Sequence, residues 1–246
     1  TTSVILAKGV SDMAKNQNTI IKTLPSVETL GSVDVIATDK TGTLTKNEMT
    51  VTDLIFADKT YQVSGTGYEP KGSITQDGKE VELNKQLDLF VQAGYYANDT
   101  VLTHEDNKWS INGEPTDGAF LSLYNKVYPI GTKDHYQKID ILPFDSDYRY
   151  MGQLVKKDDQ QTLFVKGSPD KLFTMFKTLD QSFDIPKWTQ TVEEYSSQGK
   201  RVIAVGYRDV DGQVDDVTHE LISSIHLVRK SFKHLKRSVL LALKSR

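Results

Sequence analysis

The stretch "DVIATDKTGTLTKNEMTV", residues 34–51, puts a carboxylate, a lysine and a run of small hydroxylated residues directly behind an apolar, β-branched segment. The segment "SVDVIAT" (32–38) predicts a buried strand that ends at Asp39. In an open α/β sheet the carboxyl ends of the strands face the crevice where ligands bind. A carboxylate there can attack a phosphoryl group and form an aspartyl phosphate. Lys40, Thr41, Gly42 and Thr43 suit a phosphate cradle, because glycine lets the backbone come close. A hard cation such as Mg²⁺ is expected to bridge carboxylate and phosphate oxygens. The same residues also describe a plain strand-ending turn capped by Asp39, since Asp, Gly and Thr are common in turns. Spacing leaves both readings standing.

Upstream, "SVILAKGVSDMAK" carries Val4, Ile5, Val10 and Met13 at helical spacing, and Pro25 with Ser26 marks the start of a short helix. Downstream the pattern changes. From about 50 to 83, short segments such as "TVTDLIFA", "TYQVSG" and "KEVEL" alternate with "GTGYEPKGS" and "DGK", which predicts antiparallel strands and turns. "NKQLDLFVQAGYYAN" and "GEPTDGAFLSLYNKVY" read as helices. "HYQKIDILPFDS", "RYMGQLVKK" and "TLFVKGS" read as strands. Two more helices, "PDKLFTMFKTL" and "PKWTQTVEEYSSQGK", precede a strand at "RVIAVGYRDV". One α/β start, a long α+β body and a new C-terminal element predict an insertion of one domain into another.

The totals narrow the classes. The chain has 246 residues, 37% hydrophobic and 26% charged, as expected of a soluble globular protein with a sizeable core. A net charge of −3 gives no reason to expect a nucleic-acid partner. Without cysteine there are no disulfides and no thiolate metal sites. His104, His135, His219, His226 and His234 show no ligand spacing. The "NDT" at 98–100 fits a glycosylation acceptor, but no signal peptide accompanies it and it reads as chance. No apolar run is long enough to span a bilayer.

Taken whole, "DKTGTLT" resembles the phosphorylation signature of the P-type ATPases, and "LPSVETLGSVDVIATDKTGTLTKNEMTV" is similar to the calcium-pump-like cation branch of that family. Further elements follow in family order. "GEPTDGA" resembles "GxPTExA", "LPFDSDYRYM" resembles "PFxSxxKxM", "VKGSPD" resembles "KGAPE", and "GKRVIAVGYR" resembles "GLRVLAxAxR". The resemblance covers roughly residues 1–215. It implies a partial Rossmann-like, haloacid-dehalogenase-like phosphorylation domain of α/β class, formed by 1–50 and 219–246. Into it a large α+β nucleotide-binding domain on an antiparallel sheet is inserted, over 51–218.

The resemblance also implies roles. Asp39 is the nucleophile and phosphoacceptor, and its carboxylate with the Thr41 carbonyl are Mg²⁺ ligands. Related phosphatases of the superfamily carry an aspartate as general acid/base where this chain has Thr41. A threonine cannot take a proton from water in that way, so the phosphoenzyme should persist, which favours a pump over a soluble phosphatase or phosphotransferase. Phe144 is implied as the aromatic that stacks on adenine; from the residues alone the favoured reading is a core aromatic on a strand. Lys166 is implied at the base of the adenine pocket, with Gly167 leaving room for ligand. Thr116 and Asp117 lie in the matching polar element, where the shorter Asp replaces the family's Glu. Arg149 stands where lysine is usual, Arg201 points towards the phosphates, and Ser146 replaces a residue that is often basic. ATP and Mg²⁺ are the implied cofactors. Transmembrane and actuator domains of a parent membrane pump are the implied partners, with this portion on the cytoplasmic side.

The C-terminal stretch departs from the pattern. Residues 219–246, "HELISSIHLVRKSFKHLKRSVLLALKSR", lack the "DPPR" segment and the "GDGxNDxP" aspartates that complete the metal site in the family. Leu221, Ile225, Val228, Phe232, Leu235 and Val239 fall at steps of three and four, which predicts a basic amphipathic helix. Such a helix can lie on an anionic membrane or cover a core; the stretch can also be a truncated or frame-shifted copy of the missing segment. The expectation is a chain that binds ATP without turning it over.

Overall fold

Among the described residues, strands outnumber helices from residue 49 onward. The computed structural model describes residues 2–132, 135–210, 217 and 239–245. They fall in two compact units, Thr1–Leu44 and Thr45–Arg246.

In the first unit, α1 (Thr2–Gln17) and α2 (Pro25–Leu30) form where the periodicity and Pro25 place them. The strand expected over 32–38 does not form. Val35 and Ile36 are 82% and 83% exposed. A parallel strand draws all its backbone partners from strands distant in sequence, and among the described residues of this unit there is no second strand for it to pair with. Lys40–Leu44 close a single π-helical turn immediately after Asp39.

In the second unit the antiparallel reading holds. The strands are β1 (Met49–Ile55), β2 (Thr60–Val63), β3 (Ile74–Gln76) and β4 (Lys79–Glu80). Further along come β5 (Val101–Glu105), β6 (Lys108–Asn112), β7 (Gln137–Leu142), β8 (Tyr150–Lys157), β9 (Gln160–Gly167), β10 (Lys200–Val210) and β11 (Val239–Ser245). The helices are α3 (Lys85–Tyr96), α4 (Pro115–Val127), α5 (Pro169–Leu179) and α6 (Ile185–Ser197). Among the described residues nine strands build one sheet, in the order β4-β3-β2-β1-β11-β10-β9-β8-β7, and every pairing is antiparallel. No parallel pair occurs among them, so the fold seen is mixed α/β on antiparallel sheets.

Alternation along the strands divides the core. Val51, Leu54, Phe164 and Val205 face α3 and α4, where Leu87, Phe90, Phe120 and Leu123 meet them. Ile55, Leu163, Val165 and Ala204 face α5 and α6, against Phe173, Phe176 and Trp188. Helix α3 is capped by Asn84, whose side chain accepts from the amides of Gln86 and Leu87 at 3.0 Å.

Two elements depart from the sequence expectations. The hairpin β5–β6 was not expected; it turns through Asp106 and Asn107, both at positive φ, as a two-residue turn requires. The helix expected over 221–239 lies outside the described residues up to 238. Val239–Ser245 are a strand, which pairs β1 on one side and β10 on the other. Residues 219–246 were assigned to the phosphorylation domain, apart from 51–218; 239–245 pair within the sheet of the second unit.

Candidate functional site

Four segments supply the site. The first turn of α4 brings Thr116 and Asp117, the loop between β7 and β8 brings Phe144 and Arg149, the end of β9 brings Lys166 and Gly167, and the start of β10 brings Arg201. Lys166 alternates with Val165, so its side chain enters the α4 face of the sheet. Its Nζ donates to Asp117 Oδ1 at 2.7 Å and lies 4.9 Å from the centre of the Phe120 ring. Both charged groups are deeply buried, at 5% and 11% side-chain exposure. Desolvation pushes the Asp117 carboxyl up and the Lys166 ammonium down, and each partner's charge opposes the shift of the other. Asp99 and Glu114 add negative charge that raises Asp117 further. Arg201, one strand over, donates from Nη1 to Thr116 Oγ1 at 3.3 Å. Asp117, Thr116, Lys166 and Arg201 are therefore joined at the N-terminus of α4.

The β7–β8 loop is pinned at its base. Arg149 donates its N–H to the Asp145 carbonyl at 2.7 Å, and its own carbonyl accepts from Ser168 N–H at 2.9 Å. Asp145 Oδ1 also accepts from the Asp147 amide at 2.7 Å. Phe144, just before this closed turn, is 57% exposed. It is not a core aromatic on a strand, the other reading of the sequence. The Arg149 side chain forms an ion pair with Asp170 in the first turn of α5.

Gly167 has a different use from the one expected. A Cβ there would stand 2.5 Å from the Arg149 carbonyl oxygen and 2.5 Å from Tyr150 Cβ. The space is filled by β8, so the glycine lets β9 close against Arg149 and Tyr150; it does not leave room for ligand.

Asp39, Lys40, Thr41, Gly42 and Thr43 belong to the first unit. Gly42 takes φ +76°, and a Cβ on it would meet nothing within 4 Å, so its backbone is open to an approaching group. Asp39 is exposed. A Mg²⁺ ion keeps several waters and takes one or two carboxylates, so the Asp39 carboxylate with the Thr41 carbonyl fits part of such a shell. Among the described residues no group of three or more His, Asp or Glu is gathered for a metal.

Residues without a motif also shape the site. Asn98 is buried at 4% exposure and donates from Nδ2 to the Asp117 carbonyl at 2.9 Å, while Oδ1 accepts from the Thr100 amide. This explains why "NDT" is no surface acceptor. Asp170 stands in the quoted "VKGSPD" with no role assigned to it and Phe120 lies outside the quoted motifs, because an acid in a helix's first turn and an apolar helix residue are both ordinary. Their spacing held one signal: Phe120 lies three residues after Asp117, on the same helix face.

Comparison with known proteins identifies the family. The model of the family "P-type ATPase, cytoplasmic domain N" matches residues 86–232, more than half of the chain. The cation-transporting ATPase pma1 of Synechocystis is 38% identical over 232 residues, 88% of this chain and 25% of the relative. A calcium-transporting ATPase of Bacillus subtilis is 36% identical over 224 residues, 85% of this chain and 25% of its own length. The calcium-transporting ATPase type 2C member 1 of Bos taurus is 34% identical over 227 residues, 86% of this chain and 23% of its own. The chain thus spans about a quarter of the length of the curated relatives it matches. Among the described residues no helix is long and apolar enough to cross a membrane. By its matched half and its shared motifs, the chain belongs to the P-type ATPase family, as a cytoplasmic domain N.

Proposed function

We propose that this chain is the nucleotide-binding and phosphoacceptor portion of a membrane pump that couples ATP hydrolysis to cation transport. The exposed Phe144 carries the reading: a large aromatic ring is held out to solvent by a pinned loop whose other end presents Arg149. Adenine stacks on that ring, Lys166 and Asp117 form the floor beside it, and Arg149 and Arg201 meet the phosphates. The nucleotide-binding body is the insertion over 51–218, and residues 1–50 begin the phosphorylation domain. In the full-length pump Asp39 then attacks the γ-phosphorus of ATP. A new O–P bond forms on its carboxylate, the bond to the β-phosphate oxygen breaks, and ADP leaves. Lys40 and the backbone of Thr41, Gly42 and Thr43 hold the transferred group. Mg²⁺, when bound, supplies charge neutralisation, and Asp39 and the Thr41 carbonyl would hold it. Calcium is the cation favoured, since the motifs resemble the calcium-pump-like branch. The parent pump sits in a membrane, with this portion on the cytoplasmic side.

Calorimetric titration tests the binding step. ATP should bind with a Kd on the order of 0.1–1 mM, because one open stacking surface offers few desolvated contacts. Phe144→Ala should weaken binding about tenfold, and Asp39→Asn should leave it unchanged. With Mg²⁺ and ATP the 246-residue chain should release no phosphate beyond the Asp39→Asn control. Loss of binding in Asp39→Asn, or none in Phe144→Ala, overturns the layout.

A further inference from the structure

Each cation of the candidate site is already engaged within the chain: Lys166 by Asp117, Arg201 by Thr116 and Arg149 by Asp170. The first two acceptors are a buried carboxylate and a neutral hydroxyl. Asp170 is neither. Its side chain is 61% exposed, that of Arg149 is 46% exposed, and the pair joins α5 to the β7–β8 loop.

The backbone of Arg149 cannot follow its side chain. Its N–H is fixed to Asp145, its carbonyl to Ser168, and its φ of +58° is one a non-glycine residue adopts rarely. Gly167 locks the same stretch against β9. The guanidinium is therefore the part free to change partner, by rotating about its own side-chain bonds. Its planar fork fits a carboxylate and a phosphate by the same paired geometry, which makes the carboxylate a direct competitor. Lysine, a point charge, would be held less specifically.

We infer that Asp170 is a selectivity element of the nucleotide site, occupying Arg149 in the empty protein and weakening binding in proportion to the phosphate charge that must displace it. The inference rests on the reading above that phosphates come to Arg149. Asp170 remains an anion in the working pH range: burial tends to raise its carboxyl, but hydrogen bonding at the start of α5 and the Arg149 guanidinium outweigh it and hold the group below its ordinary value. An exposed ion pair is cheap to break, so the pair yields to a polyphosphate. The displaced carboxylate stays close, and its repulsion grows with each phosphate.

The test is calorimetric titration of adenosine, AMP, ADP and ATP, at fixed Mg²⁺ and ionic strength, into the full chain and its Asp170→Asn variant. Asp170→Asn should bind ATP about 2- to 5-fold tighter, ADP with a smaller gain, and adenosine unchanged. Asp170→Ser should do the same, which guards against a packing effect peculiar to one variant. In an Arg149→Ala background the ATP gain should fall to less than half, since the freed guanidinium is gone. Equal ATP affinity in parent and Asp170→Asn, with Phe144→Ala still weakening it, overturns the inference and leaves the nucleotide reading intact. A gain that is the same for adenosine also overturns it. Failure of the parent chain to bind any adenine nucleotide overturns both.

Discussion

Lys166 and Asp117 show how far a single residue's part can be read before folding. The motif gives their place, but nothing about a lysine in a sequence says that it will be buried, since lysine is almost always exposed. The structure buries both ends of the pair, and burial shifts each group towards its neutral form, Asp117 upward and Lys166 downward. Desolvation therefore consumes most of what the charges gain from each other, and the pair fixes geometry more than it adds stability. Removing one partner leaves an uncompensated buried charge. Asp117→Leu or Lys166→Met alone should cost about 3 kcal/mol or more, while the double variant should recover most of that loss. Urea titrations of all four proteins decide it; a double variant as unstable as the singles would mean that the pair is worth more than its desolvation. Lys166→Ala is for the same reason a poor probe of ligand contact. Phe144, exposed and outside both core clusters, is the clean one.

At the scale of elements, local signals were legible wherever local chemistry settles the matter. Helices α2, α4, α5 and α6 each begin with proline in the first turn, and α3 with the Asn84 cap. What failed was long-range. The segment 32–38 has strand chemistry but no strand in its unit to pair with, and β5–β6 has alternation too weak to notice without its Asp-Asn turn. The tail is the sharpest case. "VLLALKS" carries both spacings, because four of its first five residues are large and apolar, and only the gap between β1 and β10 selects the strand. That gap gives a prediction. Ending the chain at residue 218 removes β11 and leaves two open edges in the middle of the sheet. Such a chain should lose cooperative unfolding, with β1 to β4 detaching at lower urea than the β7 to β10 half. Unchanged, single-step unfolding by both circular dichroism and tryptophan fluorescence would show that 51–218 is self-sufficient.

Across the whole molecule, titrating groups of opposite sign shape the alkaline stability. Burial pushes Lys126 down from 10.5 to about 8, while its Nζ donates to the Ser64 carbonyl at 2.7 Å. Between about 8 and 10.5 the unfolded chain holds that proton and the folded chain does not, so stability rises with pH there. Tyr68, Tyr136, Tyr150 and Tyr195 are shifted upward by burial from 10.0. Above that value the folded chain keeps protons that the unfolded chain releases, and stability falls. Urea midpoints should therefore climb from pH 8 to about 10 and decline beyond. Lys126→Met should reduce the climb, leaving the part due to the likewise lowered Lys166, and should leave the decline. A midpoint that falls steadily from pH 8 in the parent chain refutes this balance. None of it was visible in the sequence, where the eleven tyrosines are a count and not an environment.

The first two residues of β10 point to opposite layers. Lys200 donates to Asp53 of β1 at 2.7 Å and sits over the Tyr195 ring of α6, while Arg201 reaches Thr116 of α4. One peptide unit thus acts as a clip through the sheet, with β1 and α6 on one jaw and α4 on the other. A ligand that takes Arg201 opens one jaw while the other stays shut, so β10 keeps its side-chain tie to β1 and its place beside β11 as its far side changes partner.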